Sequence, residues 1–401
     1  MTTNFCPQCG IQLQPETKFC PNCGQAVGFT LQPPASNPKT APTLLHTLLE
    51  KVNKLATPKQ MIYTSALIVA IAVLLTLLFT VLEKDVYVAG YERNNQGNLV
   101  ATLWKNGKPQ RLSDERNGGE ALSVYISGDD VYVAGCEMNN QGNLVATLWK
   151  NGVPKRLSDG RREGKANSVF VIGNDVYVAG YECIESSDVY SRAILWINEE
   201  KLYLKPTRHN WFDDLDRRVM KPNSVFVSGD DVFVVGQDNG RPTLWRNGTP
   251  QLLSKKETSS RADSVFVSGN DVYIAGCDNY GDRKIFPTIW KNGVSKPIYN
   301  DRGVAFSVYV SGKDVYVVGT DGFGWDHRTA TVWKNDVPQF LTAKNIESAA
   351  TSVTVSRKDV YVVGYEVNAD GKDVATLWKN GRAKRLGNKS HNSRAYSIFV
   401  N

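Results

Sequence analysis

The stretch DVYVAGYERNNQGNLVATLWKNGKPQRLSD, residues 85–114, is repeated almost unchanged as DVYVAGCEMNNQGNLVATLWKNGVPKRLSD at residues 130–159. Its opening element, D-V-[YF]-[VI]-x-G, begins at Asp85, Asp130, Asp175, Asp231, Asp271, Asp314 and Asp359. One tryptophan follows in each unit: Trp104, Trp149, Trp196, Trp245, Trp290, Trp333 and Trp378. The period of about 45 residues indicates a repeat fold in which every unit is one supersecondary element.

Each unit contains four β-rich segments. Strand a has the pattern S-V-[YF]-V-S, as in Ser264–Ser268, and a tight turn connects it to strand b, D-V-Y-V-A-G. A loop of variable length then leads to strand c, A-T-L-W-K, and an Asn-Gly pair such as Asn106-Gly107 leads to a short strand d. Asn-Gly adopts the positive φ angles that a two-residue hairpin requires. Four strands per unit, repeated radially, predict an all-β fold, the β-propeller.

The two ends of the repeat region are complementary. The first unit starts directly at strand b, whereas the chain finishes at Ser397-Ile398-Phe399-Val400, a strand a that no strand b follows. We therefore predict a seven-bladed β-propeller over residues 83–401, closed by pairing of its N- and C-terminal strands. A solenoid would instead need capping units at both ends.

The first 26 residues carry four of the seven cysteines, in two C-P-x-C-G knuckles. Four thiolates that two tight turns bring together favour a tetrahedral zinc site. This pattern resembles the small zinc-ribbon heads of many bacterial proteins. The resemblance implies a structural Zn²⁺ in residues 1–26, and the ligands would be Cys6, Cys9, Cys20 and Cys23.

A linker and an apolar segment follow. Residues 27–60 are proline-rich at first, and leucines at helical spacing between residues 43 and 57 fit either a surface amphipathic helix or an extension of the next segment. Residues 61–82 are uncharged and long enough to span a bilayer once as a helix. Lys51, Lys54 and Lys59 precede this segment, so the positive-inside rule places the N-terminus in the cytoplasm and the repeats outside it. Because the zinc-ribbon pattern resembles that of bacterial proteins, we expect the predicted transmembrane helix to lie in the inner membrane of a bacterium.

Bulk composition excludes one class of partner. The 401 residues include 47 basic and 40 acidic ones, a net charge of +7. This excess is small, and no basic stripe of the kind that contacts a phosphate backbone is present, so we do not expect a nucleic-acid partner. The repeats themselves resemble those of uncharacterised bacterial propellers, a resemblance that names no ligand.

Sequence variation is concentrated in the b–c and d–a loops, which meet on one face of a propeller. Because strand b of the first blade follows the membrane segment closely, we expect this variable-loop face to point away from the bilayer. Two loops on it carry candidate contact residues, which either bind a partner or fold back to cap the blade edges. They are Arg208, Trp211, Phe212, Arg217, Arg218, Trp325 and His327.

A second candidate site is the position just before each strand a serine, whose neighbours are nearly constant from blade to blade. This position should line the mouth of the central channel, where it forms either a ligand pocket or a site under relaxed constraint. The five residues that we take as candidate ligand contacts there are Asn167, Asn223, Asp263, Phe306 and Tyr396; Leu122 and Thr351 occupy it in the other two blades.

Every strand b also ends in an acid two residues after its glycine. We expect these acids to be structural, each accepting hydrogen bonds from a hydroxyl, a backbone amide or an indole, rather than to form a metal ring or a glycosidase pair. The strand a serines, the strand c threonines and the tryptophans are the candidate donors. The acids are Glu92, Glu137, Glu182, Asp238, Asp278, Asp321 and Glu366.

Three functions fit this pattern. The first is a membrane-anchored binding module that holds a protein or glycan on the variable-loop face. The second is an envelope polysaccharide hydrolase or lyase, which requires a close pair of carboxylates. The third is an assembly scaffold. No catalytic motif is found in the sequence, so binding is the expected function.

Overall fold

The computed structural model describes residues 84–116, 118–184, 190–207, 218–254, 260–279, 285–299, 301–322 and 328–401. The predicted zinc ribbon, linker and transmembrane helix lie outside these ranges. None of the described residues belongs to a helix with the length and apolarity that crossing a bilayer requires.

In the described residues, 28 β-strands form seven antiparallel four-stranded sheets, one for each repeat. The inner strands, one per sheet, contact each other around a central channel. They are β4 (Gly119–Ser127), β8 (Gly164–Ile172), β12 (Met220–Ser228), β16 (Arg261–Ser268), β20 (Gly303–Ser311), β24 (Ser348–Ser356) and β28 (Ser393–Val400).

Outside each inner strand lie three more. The second strands are β1 (Val86–Arg93), β5 (Asp130–Met138), β9 (Asp175–Cys183), β13 (Asp231–Asp238), β17 (Asp271–Asn279), β21 (Asp314–Asp321) and β25 (Asp359–Val367). The third strands are β2 (Leu99–Lys105), β6 (Leu144–Lys150), β10 (Ser191–Ile197), β14 (Arg241–Arg246), β18 (Ile285–Lys291), β22 (Thr329–Lys334) and β26 (Asp373–Lys379). The outer strands are β3 (Lys108–Arg111), β7 (Val153–Arg156), β11 (Glu200–Tyr203), β15 (Thr249–Leu252), β19 (Val294–Pro297), β23 (Val337–Phe340) and β27 (Arg382–Arg385).

The protein is thus a seven-bladed β-propeller. Blade 1 has the strand order β28-β1-β2-β3, and blades 2 to 7 follow in chain order from β4 to β27. In blade 1 the last strand of the chain pairs antiparallel with the first, with Val86 opposite Val400 and Val88 opposite Ile398.

The core lies between blades, and a tryptophan fills each interface. All seven strand c tryptophans are 0% exposed. Trp149 of blade 2 packs on Ala101 and Leu103 of blade 1, and Trp104 of blade 1 packs on Leu377 of blade 7. Removing a buried tryptophan from such a core typically costs about 3–5 kcal/mol, so these interfaces carry much of the stability.

The strand a serines form a second set of contacts between blades. Each serine Oγ accepts a hydrogen bond from a backbone N–H of the next inner strand, at 3.1–3.4 Å. The set includes Val124 N–H to Ser397 Oγ, which joins blade 2 to the C-terminal strand. One hydroxyl per blade therefore satisfies a backbone donor that its own sheet leaves unpaired.

On the tight-turn face, an aspartate at the start of strand b accepts a hydrogen bond from the turn asparagine. In blade 2, Asn151 Nδ2 donates to Asp130 Oδ1 at 2.7 Å, and Asn151 Oδ1 accepts from Val131 N–H at 2.8 Å. Lys150 adds an ion pair at 2.7 Å to the same carboxylate. Asn151 has φ 53°, the left-handed conformation that the hairpin needs.

The outer strands are exposed edges that could pair with another chain. In the described outer strands, proline occurs in five of seven: Pro109, Pro154, Pro250, Pro297 and Pro338. Proline has no N–H to donate, so these five outer strands are poor templates for pairing with the edge of another sheet.

The strand b glycines are required by a close approach of the inner strand. A Cβ at Gly135 would stand 2.0 Å from the carbonyl oxygen of Glu120. We expect Gly135→Ala to lower the free energy of unfolding by about 3 kcal/mol, measured by urea denaturation of the purified full chain. The control is Gly97→Ala, since a Cβ there meets no atom within 4 Å and only left-handed strain of about 1 kcal/mol is added. Equal losses in the two variants would contradict this explanation.

Candidate ligand-binding site at the channel mouth

Each inner strand contains one β-bulge, at the same point in every blade. The register with strand b shifts there, as between Ala121 and Ser123 in blade 2, and leaves one residue of the inner strand unpaired. A bulge changes the direction of a side chain, and bulges are common next to functional sites. We call the seven unpaired residues the bulge ring: Leu122, Asn167, Asn223, Asp263, Phe306, Thr351 and Tyr396.

The bulge ring is the set that the sequence analysis placed at the channel mouth, and all seven side chains are half-buried. Three of them contact the next inner strand around the ring. Asn167 Nδ2 donates to the Pro222 carbonyl at 2.7 Å, Asn223 Nδ2 to the Ala262 carbonyl at 2.9 Å, and Thr351 Oγ1 to the Ala395 carbonyl at 2.8 Å. These side chains therefore help to join the blades as well as to line the mouth.

A second set of mouth residues was missed in the sequence. It lies two residues before the bulge ring on the same strands, and it is charged in five of the seven blades. We call these five residues the charged ring: Glu120, Lys165, Lys221, Arg261 and Arg394; Val304 and Ala349 occupy the position in blades 6 and 7. The two-residue spacing puts them on the channel side of the strand, and this spacing is the signal that could have identified them.

Three of the four cations in the charged ring form ion pairs. Lys165 Nζ lies 2.6 Å from Glu120 Oε2, and both side chains are largely buried, at 25% and 15% exposed. Arg261 Nε lies 2.8 Å from Asp263 Oδ2, and Arg394 Nη2 lies 2.7 Å from Asp373 Oδ2. Burial raises the pKa of Asp263, although the neighbouring Arg261 opposes the shift.

Lys221 differs from these three. Its ammonium lies 5.0 Å from the centre of the Tyr181 ring on the adjacent blade. Among the residues that the structure describes, no carboxylate pairs with it. A cation over an aromatic face is stabilised by about 0.5–2 kcal/mol. The ring carries no net charge, so the positive charge of Lys221 is not neutralised.

Two residues after each strand a serine lies a position that is aromatic in six blades, and these side chains form an aromatic belt: Tyr125, Phe170, Phe226, Phe266, Tyr309 and Phe399. Neighbouring ring centres in this belt lie 4.7–5.1 Å apart, which is contact distance. Thr354 occupies the corresponding position in blade 7. Because the belt lies towards the tight turns, a ligand would enter the channel mouth from the variable-loop side.

The strand b acids have partners of several kinds. Glu92 Oε1 accepts from the Asn388 N–H at 2.9 Å, Asp278 Oδ1 accepts from Ser260 Oγ at 2.7 Å, and Lys201 pairs with Glu182 at 2.6 Å. Burial raises the pKa values of Glu137 and Glu366. The sequence analysis expected amide and hydroxyl donors for these acids. It did not expect the lysine partner of Glu182 or the arginine partner of Glu366, Arg385, whose Nε lies 3.8 Å from Oε2 of that acid.

Two of the three donor groups expected for these acids make other bonds. The strand c threonines donate to the carbonyl two residues earlier, as Thr102 does to Val100 at 2.8 Å. The strand a serines accept from the next blade, as described above. Three tryptophans donate to backbone carbonyls of the preceding blade: Trp149 to Leu112, Trp245 to Lys205 and Trp290 to Leu253. The expectation for the threonines was therefore wrong, because a backbone carbonyl lies nearer to them, whereas a serine Oγ that accepts a bond can still donate its own hydrogen.

Arg218, one of the candidate contact residues, is buried. Its side chain is 3% exposed, and its Nη1 lies 3.2 Å from Oδ1 of Asp238, which is 0% exposed. Thr207 donates to the same carboxylate through its backbone N–H at 2.8 Å and its hydroxyl at 2.7 Å. Asp238 thus holds the chain at residue 207 and again at residue 218. The other loop candidates, Arg208, Trp211, Phe212, Arg217, Trp325 and His327, lie outside the described residues.

Comparison with known proteins identifies the N-terminal segment. The zinc-ribbon domain family matches residues 5–27. Residues 5–27 are a zinc-ribbon domain. All four cysteines that the sequence analysis selected, Cys6, Cys9, Cys20 and Cys23, lie within it. Among the described residues of the propeller, no group of three or more His, Cys, Asp or Glu side chains could hold a metal ion.

A search of curated proteins finds no match to the chain. Similar solved structures include the computationally designed Ika8 protein, 16% identical with a TM-score of 0.40 over 78% of this chain and 90% of that one. A puromycin-hydrolyzing peptidase of Mycobacterium tuberculosis is 10% identical, with a TM-score of 0.47 over 73% of this chain and 50% of the peptidase. A puromycin hydrolase in complex with PGG is 10% identical, with a TM-score of 0.50 over 77% and 52%. This chain thus spans about half the length of the two hydrolases, and the last likeness is one of fold alone.

Proposed function

We propose that the chain is a binding module: a propeller outside the cytoplasm, tethered by a single span at residues 61–82, that holds a protein or glycan at its channel mouth. The zinc ribbon then lies in the cytoplasm, where thiolate ligands remain reduced. The observation that carries the proposal is the bulge ring. Seven blades supply seven side chains at equivalent positions beside nearly constant neighbours, and these side chains differ in size, charge and polarity.

Cross-linking from the mouth tests the binding role. A photo-reactive amino acid replaces Leu122 of the bulge ring in one full-length variant, and Asp129, exposed in the tight turn of the same blade, in its matched control. Irradiation of cells should give a protein or glycan adduct from position 122 and none from position 129. Adducts from position 129 alone, or from neither position, would overturn the proposal.

Cysteine labelling tests the membrane arrangement. The thiols of Cys136, Cys183 and Cys277 are 0–4% exposed, and burial raises the pKa values of Cys136 and Cys277 to about 12, so both stay protonated and unreactive. A membrane-impermeant maleimide should therefore label Asp129→Cys in intact spheroplasts. It should label Ser36→Cys, in the predicted cytoplasmic linker, only after lysis, and then more than it labels the native chain, whose Cys6, Cys9, Cys20 and Cys23 lie on the same side. The reverse pattern would contradict the proposed orientation.

The zinc ribbon supplies the metal-binding part of the proposal. Cys6, Cys9, Cys20 and Cys23 provide four thiolates, the donor set of closed structural zinc sites, and bound Zn²⁺ would stabilise a segment too short for its own core. Elemental analysis of the purified full chain should find one zinc ion per molecule and a clear loss in Cys20→Ser. Iron in place of zinc, or an unchanged zinc content in the variant, would contradict this assignment.

The described residues do not favour the alternative of a polysaccharide hydrolase or lyase. Such an enzyme needs two carboxylates on either side of one bond. The two carboxylates of the mouth, Glu120 and Asp263, lie on blades 2 and 5, and each is paired with its own cation. These ion pairs fit a role in shaping the mouth.

A further inference from the structure

The charge of the mouth is unevenly distributed around the channel. Lys165, Lys221 and Arg261 lie on the consecutive blades 3, 4 and 5, and the outer two are neutralised by Glu120 and Asp263. Lys221, the middle one, has the Tyr181 ring as its neighbour and no carboxylate partner among the described residues. Its side chain is half-buried, so its positive charge is poorly screened and attracts an anion more strongly than a surface lysine does.

Hydrogen-bond donors flank Lys221. Asn167 on blade 3 and Asn223 on blade 4 each use Nδ2 to reach a carbonyl of the next inner strand. An amide nitrogen carries two N–H groups, so Asn167 keeps a second donor for a ligand, whereas Asn223 Nδ2 also lies 3.5 Å from Asp263 Oδ1. The Lys221 ammonium with the remaining N–H of Asn167 beside it suits the two oxygens of a carboxylate, because the pair supplies a single charge and more than one donor.

The opposite side of the mouth is uncharged in both mouth positions. Blade 6 contributes Val304 and Phe306, and blade 7 contributes Ala349 and Thr351. The Phe306 ring is half-buried, and the Arg261 guanidinium lies 5.3 Å from its centre. This side offers apolar surface to a ligand whose charged end is held at blade 4.

We infer that the channel mouth binds an organic carboxylate with an apolar part, with the carboxylate on Lys221 and the apolar part towards Phe306. The inference rests on the proposed binding function and specifies its ligand class. A free carboxylic acid and the C-terminus of a peptide share this chemistry. The charge at Lys221 gives affinity for the acid, and the uncharged side of the mouth selects against small hydrophilic anions.

The test uses phenylacetate as the probe and phenylacetamide as its neutral counterpart, with the full chain in detergent. Saturation-transfer NMR and the shift of the unfolding midpoint report binding. Phenylacetate should bind the native chain at millimolar concentration, and phenylacetamide and acetate should each bind at least tenfold more weakly. A short peptide that ends in phenylalanine, with a free or an amidated C-terminus, distinguishes the peptide source from the free acid.

Three variants localise the binding. Lys221→Gln should weaken phenylacetate binding at least tenfold, which equals about 1.4 kcal/mol, and Lys221→Arg should restore most of it. Lys313→Gln, in an exposed tight turn, should change nothing. Equal binding by native chain and Lys221→Gln, or no preference for acid over amide, would overturn the inference. If phenylacetate does not bind but position 122 still gives a cross-linked adduct, the proposed binding function stands and only this ligand class is wrong. If phenylacetate does not bind and position 122 gives no adduct, the proposed function is wrong too.

Discussion

Deletion of residues 393–401 should abolish the cooperative unfolding of the propeller. These residues are the whole of β28, the inner strand of blade 1, together with Asn401. Without them, β1 loses seven paired residues, and Ser397 no longer accepts the Val124 N–H of blade 2. The interface that contains Trp104 would also lose Ala395 and Ile398, so the side chains of blades 7 and 1 would be left facing water.

The measurement is thermal unfolding of the purified full-length and truncated chains in detergent, followed by tryptophan fluorescence. We expect one sharp transition for the full chain and a broad, non-cooperative signal for the truncated one. Removing Asn401 alone is the control, because it deletes one hydrogen bond, to the Asp85 carbonyl, worth about 1 kcal/mol. A truncated chain that unfolds at the same midpoint as the full chain would show that the terminal pairing does not hold the ring.

Asp238→Asn should lower the free energy of unfolding by about 3–5 kcal/mol, because it leaves the buried Arg218 charge without its partner. The loss should be larger than for exposed ion pairs, since Asp238 and Arg218 are 0% and 3% exposed. Thr207 would also face an amide in place of a carboxylate, which weakens its two hydrogen bonds. Urea denaturation with a common slope for both proteins measures the difference.

The matched control for this change is Asp314→Asn. Asp314 pairs with Lys334 at 2.7 Å, but its side chain is 38% exposed, and an exposed ion pair contributes about 1 kcal/mol or less. Similar losses in the two variants would contradict the assignment of Asp238 as the residue that holds residues 207 and 218 in place.

The propeller could be predicted because the same sequence pattern for a four-stranded unit occurs seven times in the chain. The strand b element, the tryptophan of strand c and the Asn-Gly turn each agree with one four-stranded unit, and the structure confirms seven such blades. The Asn-Gly pair occurs in five of the seven blades. In blade 3 the turn is Asn198-Glu199, with φ 48° and 76°, and Glu199 instead forms an ion pair with Lys155 of blade 2.

The mouth was harder to predict than the fold. The bulge ring could be found because its residues vary beside constant ones, but the bulge itself has no sequence signature here. The charged ring was missed because Glu120 and Lys165 are 45 residues apart in the sequence, and only the packing of blade 3 beside blade 2 brings their charged groups within 2.6 Å. The partner of Arg218 could not be predicted for a related reason, since Asp238 lies 20 residues away at the end of β13.

Disulfide formation between Val86→Cys and Val400→Cys tests the closure of the ring most directly. These residues lie opposite each other in the pairing of β1 with β28, next to the hydrogen bond from Asn401 to Asp85. Opposite residues in an antiparallel pair have Cα atoms about 4.5–5.5 Å apart, which suits a disulfide. Mild oxidation of the full chain should link positions 86 and 400 within one molecule, as read by mass spectrometry, and should not link 86 to a cysteine at Val355 on blade 7. An unlinked 86–400 pair, or links formed only between molecules, would contradict the closed propeller.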